Sequence, residues 1–205
     1  AHHETKLLVK SSPAAGLVLL LIGALGFVSL TWLRDNARQI ITATLPGLTL
    51  AGAANADLGQ AFNRTLLLLL ANEPERRAQL PREIQQFSNQ TTESLAKYEK
   101  QIYEAGDRKN FDQLIAVCTN YLTIRIRIMA LADAGRNAEA VTACHAEWLP
   151  AYTAYKEAGE VLFRFNSAQG ELRGQNIMMT CHYTRLAVAF ICILVFVGGF
   201  IIGLR

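Results

Sequence analysis

Alternating β-branched runs, an excess of charge of either sign, and the side-chain sets that carry chemistry are all scarce in this sequence of 205 residues. Without period-two patterning there is no basis for a sheet, and the fold class expected is all-α. Between Arg34 and Arg185 the 17 Lys and Arg nearly cancel the 16 Asp and Glu. A net charge of +1 makes no field that would gather nucleic acid or an acidic surface, so nucleic acid is set aside as a partner. Cysteines number four. Cys118 lies 17 residues before Gly135 and Cys144 9 after it. On antiparallel helices that is an axial offset of about 12 Å, too far for a disulfide. Cys192 falls within an apolar run and Cys181 at its edge, where free thiols behave as small apolar groups. The pairs Cys144-His145 and Cys181-His182 stand 37 residues apart, about 55 Å along one helix, so they cannot share an ion within one chain. There is no Gly-rich phosphate loop, no Glu-x-x-His pair for a carboxylate metal site, and no placeable Ser-His-Asp set. No metal, no cofactor and no enzymatic activity are therefore expected.

Apolar length is abundant instead. The hydrophobic share is 51 %, high for a soluble domain. Two uncharged stretches account for it, AAGLVLLLIGALGFVSLTWL at Ala14–Leu33 and LAVAFICILVFVGGFIIGL at Leu186–Leu204. At 1.5 Å rise per residue each covers roughly 30 Å of hydrocarbon. The first is longer than a signal-peptide core and has no small-residue cleavage site behind it. Lys6 and Lys10 precede the first run and Arg205 follows the second, so both ends are expected on the cytoplasmic side. Arg34 and Arg185 at the outer ends oppose that bias without reversing it. The expected organisation is a cytoplasmic segment at 1–13, a transmembrane helix at 14–33, an outer domain at 34–185 and a second transmembrane helix at 186–204. In a Gram-negative cell this is a two-pass inner-membrane protein with a periplasmic middle. The sequence has no initiator Met and stops one residue after the second run, as a trimmed protein or part of a longer one would.

Within 34–185 the breaks Glu73-Pro74-Glu75, Gly106-Asp107 and Gly135-Arg136 punctuate a helix-favouring sequence. They predict four helices: through Arg34 to about Asn72, about Glu75 to Ala105, about Arg108 to Ala134, and from about Asn137 into the second run. Each carries a heptad-like apolar stripe. The stripes are Ile41, Leu45, Leu48, Gly52, Asn55, Gly59, Phe62, Leu66, Leu69; then Leu80, Ile84, Phe87, Thr91, Leu95, Tyr98, Ile102. The third helix offers Phe111, Leu114, Cys118, Tyr121, Arg125, Ile128, and the fourth Val141, Cys144, Trp148, Tyr152, Tyr155, Leu162, Phe165. Four such helices with short connections bury their stripes as an up-down-up-down four-helix bundle flanked by two transmembrane helices. Pro46 and Pro150 inside helices each remove a backbone hydrogen bond and are expected to kink the chain. The first and fourth outer helices, at about 39 and 49 residues, leave a length mismatch of roughly 15 Å.

This layout resembles the four-helix-bundle sensor domain of methyl-accepting chemotaxis proteins over nearly the whole chain. The similarity rests on Leu45-Pro46 after the first apolar run, on NRTLLLLLA closing the first helix, and on the turns AGDRKNFD and AGRNAEA. It includes LPAYTAYKEAGEVLFRFNSAQGEL, with Asn166 where the family tends to carry a polar residue. The resemblance implies a periplasmic ligand sensor that works as a dimer and passes a small displacement of its last helix to cytoplasmic signalling modules. The sequence departs from that pattern in having no linker or signalling hairpin after Arg205. A native end there would bind without signalling, which suits an accessory or structural subunit docked on a larger membrane assembly.

Two layers are candidates for ligand binding. About ten residues from the distal turns, Arg64, Arg125 and His145 meet and could hold the carboxylate of an organic acid. Arg125 occupies a stripe position where an apolar residue is expected. The plainer alternative is that Arg64 and Arg125 reach solvent or pair with Glu83 or Asp133. About 17 residues from the turns, Asn55, Thr91, Tyr121 and Tyr152 could line a polar pocket or satisfy one another and fix register. Leu66, Leu67, Leu68, Leu69 and Leu70 are apolar on every side of their helix, so a second buried face is required. A homodimer through the first helix, helped by Gly52 and Gly59, or docking on another membrane protein would supply it.

Overall fold

In a computed structural model the described backbone covers residues 2–203, with side-chain surroundings described for residues 16, 18 and 20–198. Lys6, Lys10, Leu204 and Arg205, which bear on the expected orientation and span, lie outside the described side chains. The helices are α1 (His2–Gln39), α2 (Leu45–Leu70), α3 (Pro74–Glu99), α4 (Ala105–Asp133), α5 (Asn137–Ala143) and α6 (Leu149–Gly203). Short π-helical segments at Ile40–Thr44 and Cys144–Trp148 join α1 to α2 and α5 to α6. The chain therefore makes four long helical passes, the four the punctuation predicts. No strand occurs among the described residues.

The two prolines are accommodated in the same way. Pro46 and Pro150 lack an N–H and crowd the carbonyl four residues back, at Thr42 and Ala146. Both carbonyls fall inside the π segments, where the wider turn makes room and the helix continues. The turns follow local chemistry. Pro74 opens α3 behind an extended Glu73, the helix position where a missing N–H costs nothing. At the end of α4, Gly135 adopts φ +74°. Gly135 N–H donates to Ala132 O at 3.1 Å and Arg136 N–H to Leu131 O at 2.9 Å, the Schellman closure that favours glycine. Gly106, expected as a break, instead lies in the first turn of α4, because the reversal is made at 100–104. A Cβ on Gly106 would meet the Phe165 ring at 3.0 Å, so this glycine serves close packing against α6.

Two compact units emerge: residues 1–40 with 171–205, and residues 41–170. The second is the bundle, narrower at both ends than 34–185. Inside it the first pass spans 30 residues to Leu70 and the last 34 from Asn137, a difference of about 6 Å. In the first unit α1 and α6 touch through Thr184 Oγ1 and Ser29 Oγ at 3.0 Å. Large apolar side chains there, among them Leu20, Phe27, Phe190 and Phe196, are exposed. Among the described residues, Ala105–Asp133 and Asn137–Gly198 are long and apolar enough to cross a membrane by length and composition, although the former is a core helix of the bundle.

The core reads as expected on α4, where Phe111, Leu114, Cys118, Tyr121, Arg125 and Ile128 are all buried, joined by Asp107 and Ala132. On α3, Leu80, Ile84, Thr91, Leu95 and Tyr98 are buried and Phe87 is half-buried, as is Ile102 in the reversal that follows. The first pass differs. Its buried line is Gly47, Ala51, Ala54, Leu58, Ala61, Phe62, Thr65 and Leu68, one residue off the expected stripe, and Ile41 is 65 % exposed. On the last pass Ala140, Ala151 and Ala158 are buried while Val141 is exposed. Small residues win these sites because Trp148, Tyr121, Tyr155 and Phe62 occupy the same core cluster and fill its volume at interior density. Ala61→Leu is expected to lower stability by about 1–3 kcal/mol through overpacking, whereas Ile41→Ala changes it by less than about 0.5 kcal/mol. Thermal unfolding of the full chain in detergent, followed by circular dichroism, checks both.

Candidate functional site

The layer of Arg64, Arg125 and His145 does not assemble. Arg64 Nε binds Glu83 Oε2 at 2.7 Å, and its guanidinium lies 5.7 Å from the Phe87 ring centroid. Arg76 reaches the other Glu83 oxygen at 2.8 Å. The hydrogen bond from Arg64, with Arg76 beside it, holds the Glu83 carboxyl below its usual range. His145 is exposed on the π segment, and no interaction joins it to either arginine among the described residues. Arg125 neither pairs with Asp133 nor reaches solvent. It is 7 % exposed, its Nε and Nη1 are buried without a hydrogen-bond partner among the described residues, and its Cζ sits 5.8 Å from the Tyr121 ring centroid.

The second layer is mostly an aromatic one. Tyr152 stacks on Phe62 at 3.9 Å between centroids, Phe62 meets Trp148 at 4.5 Å, and Tyr121 meets Trp148 at 5.7 Å and Tyr152 at 6.1 Å. Such contacts add about 0.5–1.5 kcal/mol per pair beyond burial. Thr91 is buried and returns its hydroxyl to Phe87 O at 3.0 Å. Asn55 is half-buried, its Oδ1 3.7 Å from where a Cβ on Gly159 would stand. Tyr121 Oη and Trp148 Nε1 are buried and have no partner among the described residues. All four cysteines are free. Burial pushes the Cys118 thiol up to about 11, which removes it from ordinary thiolate chemistry.

Of the leucine run, Leu68 is buried, Leu66 and Leu69 pack beside the core, and Leu67 and Leu70 are 44 % and 71 % exposed. A Cβ on Gly52 would meet nothing within 4 Å, whereas one on Gly59 would meet Tyr152 Oη at 3.5 Å. Gly52 thus faces open space, and Gly59 makes room inside the protomer.

Sequence reasoning missed a polar node at the other end of the bundle. Tyr98 of α3 donates its hydroxyl to Asp107 Oδ1 at 2.5 Å, and Asn166 of α6 donates Nδ2 to Tyr98 Oη. Asn166 Nδ2 also reaches Leu162 O at 3.1 Å and Asp107 Oδ1 at 3.5 Å. Burial, and then the Asp107 carboxyl, push the Tyr98 phenol well up, so it stays a donor. Asp107 lies in the first turn of α4, where the helix dipole favours its charge. The first pass contributes Gly47, whose Cβ would stand 2.8 Å from Asn166 Oδ1. All four passes therefore meet here. Tyr98 reads in the sequence as an apolar stripe residue and Asp107 as a turn residue, so only the polar Asn166 within an apolar stripe signals the node.

Residues 5–178 match a family model described as a four helix bundle sensory module for signal transduction. No curated protein matches the chain.

Gly47→Ala and Asn166→Ala are each expected to destabilise the bundle by about 1–3 kcal/mol, one by steric conflict and one by stripping donors from a buried node. In the double variant the clash is absent, so the combined loss is smaller than the sum by about 1 kcal/mol. Strict additivity in denaturant titrations would separate Gly47 from the node.

Proposed function

The chain belongs to the four-helix-bundle sensory modules of signal transduction, and from that premise we propose that it is the input module of a transmembrane receptor. In this reading 14–33 and 186–204 span the inner membrane and the bundle lies in the periplasm. A small molecule, an organic acid by the donors on offer, is sensed there, and its signal passes through the second span to cytoplasmic signalling modules. The observation that carries it, besides the family, is that α6 is helical from Leu149 to Gly203. That helix bears the core residues Tyr155, Leu162 and Asn166 and also the apolar run from Leu186. A helix has no internal break at which a displacement would be lost. The exposure of Leu20, Phe27, Phe190 and Phe196 supports the membrane assignment, because such surfaces are at home in lipid. The role is binding rather than catalysis.

The exposed Leu67 and Leu70 support a homodimer through the first pass. They would equally seat a docking partner, which keeps an accessory, non-signalling subunit of a larger membrane assembly as the second reading.

Bacterial alkaline phosphatase inserted at the Gly135 turn is expected to be active, and the same enzyme fused after Arg205 inactive. Residues 1–205 joined to the cytoplasmic region of an established chemoreceptor are expected to give kinase output that responds to small organic acids. Inverted phosphatase activities would overturn the topology. A correctly inserted fusion whose output no tested acid alters would favour the accessory role.

A further inference from the structure

We propose that Arg125, Tyr121 and Trp148 form an anion site inside the bundle of a single protomer, which takes the carboxylate of a small organic acid. This deepens the receptor reading and rests on it. Arg125 is 7 % exposed, and Tyr121 and Trp148 are fully buried. Arg125 Nε and Nη1, Tyr121 Oη and Trp148 Nε1 are all buried and lack a hydrogen-bond partner among the described residues. They belong to one layer: Tyr121 and Arg125 are one turn apart on α4, the guanidinium sits 5.8 Å from the Tyr121 ring, and the Trp148 ring, on the π segment of the last pass, lies 5.7 Å from the Tyr121 ring.

The chemistry of these groups is one-sided. A guanidinium keeps its charge in a protein, and an indole N–H can only donate. Burial pushes the Tyr121 phenol up against the pull of the nearby Arg125 cation, so it too remains a protonated donor. The guanidinium and the indole can only donate, the phenol oxygen can also accept, and no counter-charge pairs with Arg125 among the described residues. No carboxylate pairs with Arg125 among the described residues. Glu83 is held by Arg64 and Arg76, Glu147 is paired with Arg127 at the surface, and Asp133 is exposed. Leaving a buried cation unanswered is strongly unfavourable. Water would supply an acceptor but no charge, whereas a carboxylate supplies both.

The local backbone supports a binding role. Trp148 closes the π-helical segment ahead of Pro150, and such segments recur at functional sites. Phe62 packs beside Trp148 and Tyr152 stacks on Phe62, so aromatic surface flanks the site. Arg64 and His145 play no part in it.

The test uses the full chain in lipid nanodiscs. The protein has two tryptophans, so a Trp32→Phe background leaves Trp148 as the only indole emitter. Sodium acetate, titrated against sodium chloride at equal ionic strength, is expected to give a saturable change in Trp148 emission that chloride does not. Arg125→Met should abolish the response while melting at or above the parent temperature, because it replaces an uncompensated buried cation with an apolar chain of similar length. Tyr121→Phe preserves the ring packing should Arg125→Met fail to fold, and it should weaken acetate about tenfold through loss of one hydrogen bond to a charged group. No acetate response, an equal response to chloride, or a response that survives both substitutions would overturn the proposal. A signalling fusion that answers some other stimulus while acetate fails here overturns this site alone. A silent fusion with acetate bound overturns the receptor reading alone.

Discussion

The packing of a few large aromatic side chains against small ones sets the geometry on which the rest of this bundle depends. Trp148, Tyr121 and Tyr155 are completely or almost completely buried, and they share one core cluster with Ala51, Ala54, Ala151 and Ala158. Interiors are packed near crystal density, so rings of this size are accommodated where small residues stand among the larger ones on the facing helices. That pairing fixes which face of α2 turns inward. It also decides that Leu66 and Leu69 lie beside the core and that Leu67 and Leu70 face outward.

Within this aromatic band and beyond it the core carries polar groups with opposite fates. Toward the ends of α3 and the start of α4, Tyr98, Asp107 and Asn166 satisfy one another. A fully connected buried network favours one arrangement of its helices over slipped ones. Asn166 lies on α6, so the axial position of that helix is registered against α3 and α4 by directional bonds rather than by apolar contact alone. In the band itself, Arg125, Tyr121 and Trp148 carry buried polar atoms with no hydrogen-bond partner among the described residues. A helix set held firmly at one level and left electrostatically incomplete at another has the physical ingredients of an input module: a fixed frame and a place where an added charge changes the balance of forces.

Much of the fold was legible because its signals are local. Pro74, Gly106 and Gly135 punctuate the four passes, Gly106 a few residues past the reversal itself, and the α4 stripe is legible residue for residue because Phe111, Leu114, Tyr121 and Ile128 are large and unambiguous. The α2 stripe was misread because hydrophobicity alone ranks Leu45, Leu66 and Leu69 above Ala51, Ala54 and Ala61. Which of them enters the core depends on rings contributed by helices some 60 to 100 residues away, which no local pattern contains. The site was legible in part. Arg125 stood out as a charge in an apolar stripe and Glu83 as a partner for Arg64, whereas the exclusion of His145 follows from helix rotation set by that same distant packing. Pro46 and Pro150 were visible as interruptions, but the π-helical remedy was not.

The central claim, that aromatic packing rotates the first pass so that its alanines face inward, is tested most directly by cysteine accessibility along α2. In a background with the four native cysteines replaced, single cysteines at Ala54, Leu58 and Ala61 should resist a membrane-impermeant maleimide in intact protein. Those at Ala56, Gln60 and Asn63, which are flanking or exposed, should label readily. Rapid labelling at Ala54 and Ala61, at rates matching the denatured chain, would contradict the packing on which both the polar node and the Arg125 site are built.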